Sequence, residues 1–191
     1  MDIITRDEAI DLFELGRIGK SPARFDSYKL RDVNAYFIKI MDDDALYDLI
    51  AVSLAQSGNA PTSSAAKSRI ITLMPLLKER AKTHLDIAGS IGYLLGDGVV
   101  DIAPDAAELL TDEAKAILRD LDISLATANW DLDGLKEAIN GYLVEKGLKM
   151  RDIGLPLRAA VTGMKQTPSI VDIMVALGQS ETSYRLQIAC K

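Results

Sequence analysis

Apolar residues recur at intervals of three and four along most of the chain. One such run consists of Leu132, Leu135, Ile139 and Leu143, and a second lies within residues 170–177. This spacing places the apolar side chains on one face of an α-helix. No segment sustains the alternation of apolar and polar residues that is typical of a half-buried strand. The pattern therefore predicts an all-α fold.

Capping and helix-breaking residues indicate where the helices begin and end. Thr5 and Glu8 form a capping-box pattern, and Pro168 stands where the first turn of a helix needs no amide donor. We predict helices near residues 6–14, 27–40, 43–56, 62–81, 84–95, 105–122, 131–146, 149–162, 169–177 and 180–189. Breaks rich in glycine and proline lie at residues 57–61 and 96–98, and they are the candidate boundaries between helical parts.

The charge is unevenly distributed along the 191 residues. The net charge of −6, taken alone, argues against a nucleic-acid partner. However, residues 67–84 and residues 146–165 each hold five basic residues and one acidic residue, which gives each window +4. Residues 97–122 hold eight acidic and two basic residues, or −6. The basic windows are either solvated helix faces or parts of a binding surface.

The residue types needed for catalysis and for metal binding are scarce. His84 is the only histidine and Cys190 the only cysteine, so neither a histidine metal cluster nor a disulfide can form within the chain. Residues 16–21 resemble a phosphate-binding loop, but Glu14 occupies the position of its first glycine. No run approaches the roughly 18–20 apolar residues of a membrane span. We predict no catalytic residue, no metal site, no membrane segment and a reducing, cytoplasmic setting.

The second basic window and the residues after it carry a resemblance to a known family. Its elements are Lys149-Met150, Pro156 to Gly163, Thr167 to Ile170, Leu177-Gly178 and Arg185-Leu186. In order and spacing they resemble the C-terminal signature of bacterial glutamyl-tRNA synthetases. Further upstream, Lys20 to Asp26, Lys29-Leu30, Asn34 and Glu79 to Thr83 resemble other segments of that family. The family's nucleotide-binding motifs have no counterpart in the chain.

The resemblance implies a division of the chain into three parts. Residues 1–41 would be a remnant of the region that contacts the tRNA stem. Residues 42–97 and 98–191 would be two helical subdomains that form a cage around the anticodon loop. The chain would be a C-terminal piece of a glutamate-tRNA ligase, inert by itself. ATP and magnesium would bind in the absent catalytic half, and the partner would be tRNA(Glu), bound by a monomer without membrane or DNA contact.

The same resemblance assigns roles to four residues. A residue matching Arg80 reads the third anticodon base in the family, which is cytosine in tRNA(Glu) and guanine in tRNA(Gln). Residues matching Arg158, Thr167 and Ile170 line the pocket for the other two bases. A guanidinium offers parallel donors to the acceptors of cytosine, whereas guanine would place donors against donors. Considered without the resemblance, the residues around Arg158 favour a partly buried arginine that reaches from an apolar helix to an acidic neighbour, and the resemblance reverses that preference.

A function of another class also fits the sequence. The net negative charge is compatible with a helical module for protein interaction, or with a free-standing synthetase paralogue that has lost its affinity for RNA. Whether the parent enzyme would also charge tRNA(Gln) stays open at this point.

Overall fold

The computed structural model describes residues 3–19 and 24–191 of the chain. Lys20 to Ala23, part of the upstream segment that resembles the synthetase family, lie outside the described residues. Within the described ranges all regular structure is helical, which confirms the predicted all-α class. The helices are α1 Arg6–Leu12, α2 Ser27–Ile40, α3 Asp43–Gln56, α4 Ala66–Arg80, α5 His84–Ser90, α6 Pro104–Ala107, α7 Asp112–Leu125, α8 Leu132–Lys146, α9 Met150–Thr162, α10 Ile170–Leu177 and α11 Gln179–Ala189.

Two predicted helices are shorter than expected because their ends bond to each other. The amides of Thr62 and Ser63 donate to the carbonyl of Leu95 at 2.8 and 3.0 Å, so they are not the start of α4, which begins at Ala66. The same carbonyl lies past the end of α5, beyond a 3-10 turn at Gly92–Leu94. The predicted helix over residues 84–95 therefore ends early, at Ser90.

The predicted helix over residues 105–122 is wrong as a single element. It consists of the short α6 and the longer α7, which ends three residues later than predicted, at Leu125. The break occurs because Thr111 caps a new helix, with its hydroxyl accepting from the amide of Ala114 at 3.2 Å. Apolar spacing continued through the break, so periodicity alone did not reveal it.

The buried apolar side chains of the chain form one cluster that extends from Ile38 to Cys190. Helix α10 packs against α4 and α8, and α9 packs against α7 and α11. Helix α4 lies before the break at residues 96–98 and α10 lies after it. The proposed division at residues 97 and 98 stays a prediction, but segments on both sides of it contribute to the same core.

A buried arginine connects the two sides of this break. Arg185 on α11 is 2% exposed, and its Nη1 donates to the carbonyls of Tyr93 at 2.8 Å and Val161 at 3.0 Å. Its Nη2 donates to the carbonyl of Gly96 at 3.1 Å, and its Nε bonds to Glu181 at 2.6 Å. One side chain thus joins the break itself, the turn before it and the helices α9 and α11.

The N-terminal helices are the least covered part of the described structure. Helix α1 has no buried residue, and α2 buries only Ile38. Large apolar side chains of residues 4–40 face solvent, among them Leu12, Phe13, Leu15 and Phe25. None of the described helices has the length and apolar character needed to cross a membrane.

Candidate nucleic-acid interface

The structure brings Arg80 and Arg158 together, although 77 intervening positions separate them in the sequence. Arg80 is the last residue of α4, and Arg158 lies in the middle of α9. Arg80 Nη1 donates to the carbonyl of Thr167 at 2.8 Å, and Arg158 Nε donates to the hydroxyl of the same threonine at 2.8 Å. Each guanidinium has five N–H donors, so most of them remain available to a ligand.

Thr167 is held in place by the segment that connects α9 to α10. Helix α9 ends at Thr162 and is capped by Gly163, whose φ of +73° lets the chain reverse direction. Thr167 and Pro168 are buried, and Ser169 caps α10 by accepting from the amide of Asp172 at 3.5 Å. This segment therefore presents both polar groups of Thr167 to the arginine pair from a fixed position.

Ile170 lies closer to the core than a base-contacting residue would. It is the first residue of α10 and is 3% exposed within the hydrophobic cluster. In this structure it supports the segment that holds Thr167 and leaves very little surface for a ligand. Its assigned contact with a nucleobase stays a prediction.

Ion pairs within the protein engage the first basic window, with the exception of Arg80. The window's other cations pair as Lys67–Asp44, Arg69–Asp97, Lys78–Asp43 and Lys82–Asp32. Arg69 and Lys78 are also buried. Apart from Arg80, the cations of this window are therefore engaged in ion pairs within the protein. Among the described residues, Arg80 and Arg158 make no ion pair within 4.0 Å of a carboxylate.

The arginine pair brings two positive charges close together, one on the half-buried Arg158 and one on the exposed Arg80. The pKa of Arg158 lies below its ordinary value because burial disfavours the charged form and because the like charge of Arg80 is close. Arginine nonetheless stays protonated in proteins. Two neighbouring cations without a carboxylate partner favour a ligand that brings negative charge or hydrogen-bond acceptors.

A small cavity adjoins the pair on the side of Arg80. Its volume is about 170 Å³, compared with about 30 Å³ for one water molecule in the liquid. Arg80, Asp86, Gln166, Thr167 and Pro168 line part of it. Burial acts to raise the pKa of Asp86, but hydrogen bonds from Lys82 and Thr83 outweigh it and lower that pKa. The cavity thus offers donors from Arg80, an acceptor from Asp86 and both kinds of group from Gln166.

The sequence assigned no role to Asp86, Gln166 or Tyr93. Asp86 carries a local signal, because Thr83 and Asp86 form a capping box at the start of α5. Gln166 lies beside Thr167, which the resemblance did identify. Tyr93 gives no local signal, and only the folded structure shows that its hydroxyl is buried without a hydrogen-bond partner.

No metal centre is found among the residues that the structure describes. No three side chains of histidine, cysteine, aspartate or glutamate come close enough there to hold an ion. The residues that converge are arginine, threonine and glutamine, which suit the recognition of a polar ligand. The nearby carboxylate of Asp86 already accepts hydrogen bonds from the amides of Lys82 and Thr83 at 3.0 and 2.9 Å.

Comparison with known proteins identifies the kind of domain that carries this arrangement. A family model described as an anticodon binding domain matches residues 37–190, which include both arginines, Thr167 and all helices from α3 onwards. This chain belongs to the anticodon-binding domain family. The arginine pair and its cavity therefore lie within the matched anticodon-binding domain.

The curated relatives of this anticodon-binding domain are longer proteins. Glutamate–tRNA ligase 2 of Parvibaculum lavamentivorans is 35% identical over 187 residues, which are 97% of this chain and 38% of that ligase. Glutamate–tRNA ligase 1 of Gluconacetobacter diazotrophicus is 37% identical over 186 residues, which are 97% of this chain and 40% of that ligase. The chain thus spans about two-fifths of the length of these relatives.

A solved structure has the same helical arrangement. The crystal structure of a glutamate tRNA ligase from Elizabethkingia meningosepticum, in complex with its amino acid, superposes with a TM-score of 0.83 and 25% sequence identity. The match covers 98% of this anticodon-binding domain chain and 37% of the ligase. The comparisons confirm the family resemblance that the sequence predicted.

Proposed function

We propose that this chain is the tRNA anticodon-binding part of a glutamate–tRNA ligase and that it selects tRNA(Glu) for aminoacylation. The observation that supports this proposal most directly is the convergence of Arg80 and Arg158 on Thr167 without carboxylate partners. Membership of the anticodon-binding domain family supports it as well. The names of the curated relatives favour glutamate as the amino acid.

The chemistry of the pair suits unpaired bases. Bases of an RNA loop can turn out of the stack and present their Watson–Crick edges to a protein. On that edge cytosine has two adjacent acceptors, which match the spare donors of Arg80, whereas guanine has donors there. We assign the third anticodon base to Arg80. Arg158 and Thr167 contact the other two bases, with Ile170 beneath them.

The remaining chemistry of the ligase belongs to sequence outside this chain. We place the binding of ATP and magnesium, and the transfer of glutamate in the cytoplasm, in the parts of the relatives that this chain does not span. The chain by itself is therefore expected to give no exchange between ATP and pyrophosphate. Detection of such exchange with the purified chain would contradict this assignment.

Binding to two RNA hairpins tests the proposed function directly. The hairpins have identical stems and loops except for the third anticodon base, which is cytosine in one and guanine in the other. We expect the cytosine hairpin to bind more tightly, and its affinity to fall as the salt concentration rises. Equal affinity for both hairpins, or binding to neither, would refute the proposed selection of tRNA(Glu).

Replacing Arg80 by alanine is expected to abolish most of this discrimination. Loss of a well-made base contact costs about 1–3 kcal/mol, so the preference for cytosine should fall by about fivefold to 150-fold. Fluorescence anisotropy with the two labelled hairpins measures it. Arg151→Ala is the matched control, because Arg151 on α9 is an arginine with 78% of its side chain exposed. That control should weaken binding to both hairpins equally or not at all.

A second candidate function is the binding of another protein. The exposed apolar side chains of residues 4–40 favour it, because they have no cover in the described structure. This surface is compatible with a role in which the chain acts as a separate interaction module. Absence of salt-dependent binding to both hairpins, in a chain that is folded, would favour this second function.

A further inference from the structure

The hydroxyl of Tyr93 is buried without a hydrogen-bond partner among the described residues. Tyr93 is 4% exposed, and its Oη has neither a donor nor an acceptor in range. Buried polar groups are nearly always paired, because an unpaired one has lost its hydration without compensation. The base contacts assigned to Arg80, Arg158 and Thr167 do not use this hydroxyl, so its burial needs another explanation.

The turn that carries Tyr93 is linked to both helices of the arginine pair. It belongs to the 3-10 turn Gly92–Leu94, which packs against α4, the helix that ends at Arg80. Its carbonyl accepts from Arg185 Nη1 at 2.8 Å, and the same nitrogen donates at 3.0 Å to Val161 on α9, the helix of Arg158. The backbone of Tyr93 is therefore held relative to both helices, and its ring is enclosed by the hydrophobic core.

The charges of the arginine pair act on this hydroxyl. Burial raises the pKa of Tyr93 above its usual range, and the positive charges of Arg80 and Arg158 oppose that shift. At neutral pH the hydroxyl is protonated. It can therefore accept a hydrogen bond from a guanidinium and donate its own proton onward at the same time.

We propose that Tyr93 is a positioning residue for Arg80: when RNA binds, one guanidinium N–H of Arg80 turns onto the Tyr93 hydroxyl and aligns the group with the base. This inference rests on the proposed function. In the free protein Arg80 donates to the carbonyl of Thr167, and the Tyr93 hydroxyl has no partner among the described residues. The new hydrogen bond exists only in the complex, so it contributes to affinity and to discrimination.

Tyr93→Phe tests this role because it removes a single oxygen. We expect the melting temperature to stay the same or to rise, since the lost hydroxyl is unpaired in the free protein. The affinity for the cytosine hairpin is expected to fall about threefold to tenfold, as for one lost hydrogen bond. A purely structural role would instead lower stability and affinity together.

Tyr142→Phe is the matched control. Tyr142 is also 4% exposed, but its hydroxyl has two partners, the carbonyl of Ile117 and the carboxylate of Asp120, both at 3.2 Å. Removing this hydroxyl is expected to lower the melting temperature and to leave hairpin affinity unchanged. The two tyrosines should therefore respond in opposite ways in both measurements.

A double-mutant cycle separates this inference from the proposed function. If Tyr93 acts through Arg80, Tyr93→Phe should have no further effect on affinity in the Arg80→Ala background. An unchanged affinity of Tyr93→Phe alone, or an equal loss in both backgrounds, would overturn the role of Tyr93 while the function stands. If the wild-type chain does not discriminate between the hairpins, the proposed function fails and this inference fails with it.

Discussion

Arg185→Met is expected to lower the free energy of unfolding by about 3–5 kcal/mol, as for a buried ion pair that loses one partner. The substitution would leave the carboxylate of Glu181 without its 2.6 Å partner and the carbonyls of Tyr93, Val161 and Gly96 without the donors they now have. Methionine can fill much of the space but supplies none of these donors. Urea unfolding measures the change. The fit gives both the free energy of unfolding in water and the slope of that free energy on urea concentration.

The control for this substitution is Arg151→Met on α9. Arg151 has 78% of its side chain exposed and contacts only the adjacent Asp152 among its possible ion-pair partners, at 3.5 Å. Its replacement should change stability by less than about 0.5 kcal/mol. A loss below about 1 kcal/mol for Arg185→Met would mean that water or neighbouring amides satisfy the exposed carbonyls, and that Arg185 does not hold the two sides of residues 96–98 together.

Gly163→Ala is expected to lower the free energy of unfolding by about 2–5 kcal/mol, because it combines left-handed backbone strain with a steric overlap. Gly163 has φ +73°, and a Cβ at this position would lie 2.1 Å from the carbonyl oxygen of Asp101. That oxygen belongs to the backbone, and the chain there is tied down, because the amide of Ala103 donates to the carbonyl of Gly163 at 2.9 Å. Neither segment can move away without breaking this contact.

Gly147→Ala separates the two contributions to that loss. Gly147 also ends a helix with a positive φ of +66°, but nothing lies within 4 Å of the place that the alanine methyl group would occupy. Gly147→Ala should therefore lower the free energy of unfolding only by the cost of the left-handed backbone, about 1–2 kcal/mol. Thermal or urea unfolding of the two variants gives the difference directly. Equal losses at both positions would show that the contact between Gly163 and Asp101 relaxes easily.

Local signals in the sequence were enough to predict most of the helices. The capping box of Thr5 and Glu8 marks the start of α1, with the Thr5 amide donating to Glu8 at 2.7 Å. The errors arose where a group that is distant in the sequence forms hydrogen bonds with the backbone at a helix end. The Leu95 carbonyl, for example, accepts from the amides of Thr62 and Ser63. The spacing of apolar residues shows which face of a helix is apolar, but it gives no information about such long-range hydrogen bonds.

The candidate site was only partly predictable for the same reason. The resemblance identified Arg80, Arg158 and Thr167, and the structure places them in contact through Thr167. Charge counting could not separate Arg80 from its neighbours in the first basic window, because pairing with distant carboxylates decides which cations are free. Lys78, for example, bonds to Asp43 at the start of α3 and is buried.

The hydroxyl of Tyr93 and the role of Arg185 were beyond sequence reasoning altogether. Arg185 appeared in the sequence only as part of a family pattern, and its partner carbonyls at Tyr93 and Val161 lie 92 and 24 positions away. A buried arginine has no local pattern that distinguishes it from an exposed one. Tyr93 likewise shows its missing partner only after the fold has enclosed it.

The single core that links α4 to α10 also bears on how the protein melts. Arg80 comes from one side of residues 96–98 and Arg158 from the other, yet both sides share the cluster that extends from Ile38 to Cys190. We expect the part of the chain that contributes to this core to unfold as one cooperative unit. The proposed recognition of RNA should then be lost in a single step on heating, because neither side can keep its own arginine in place after the other side has opened.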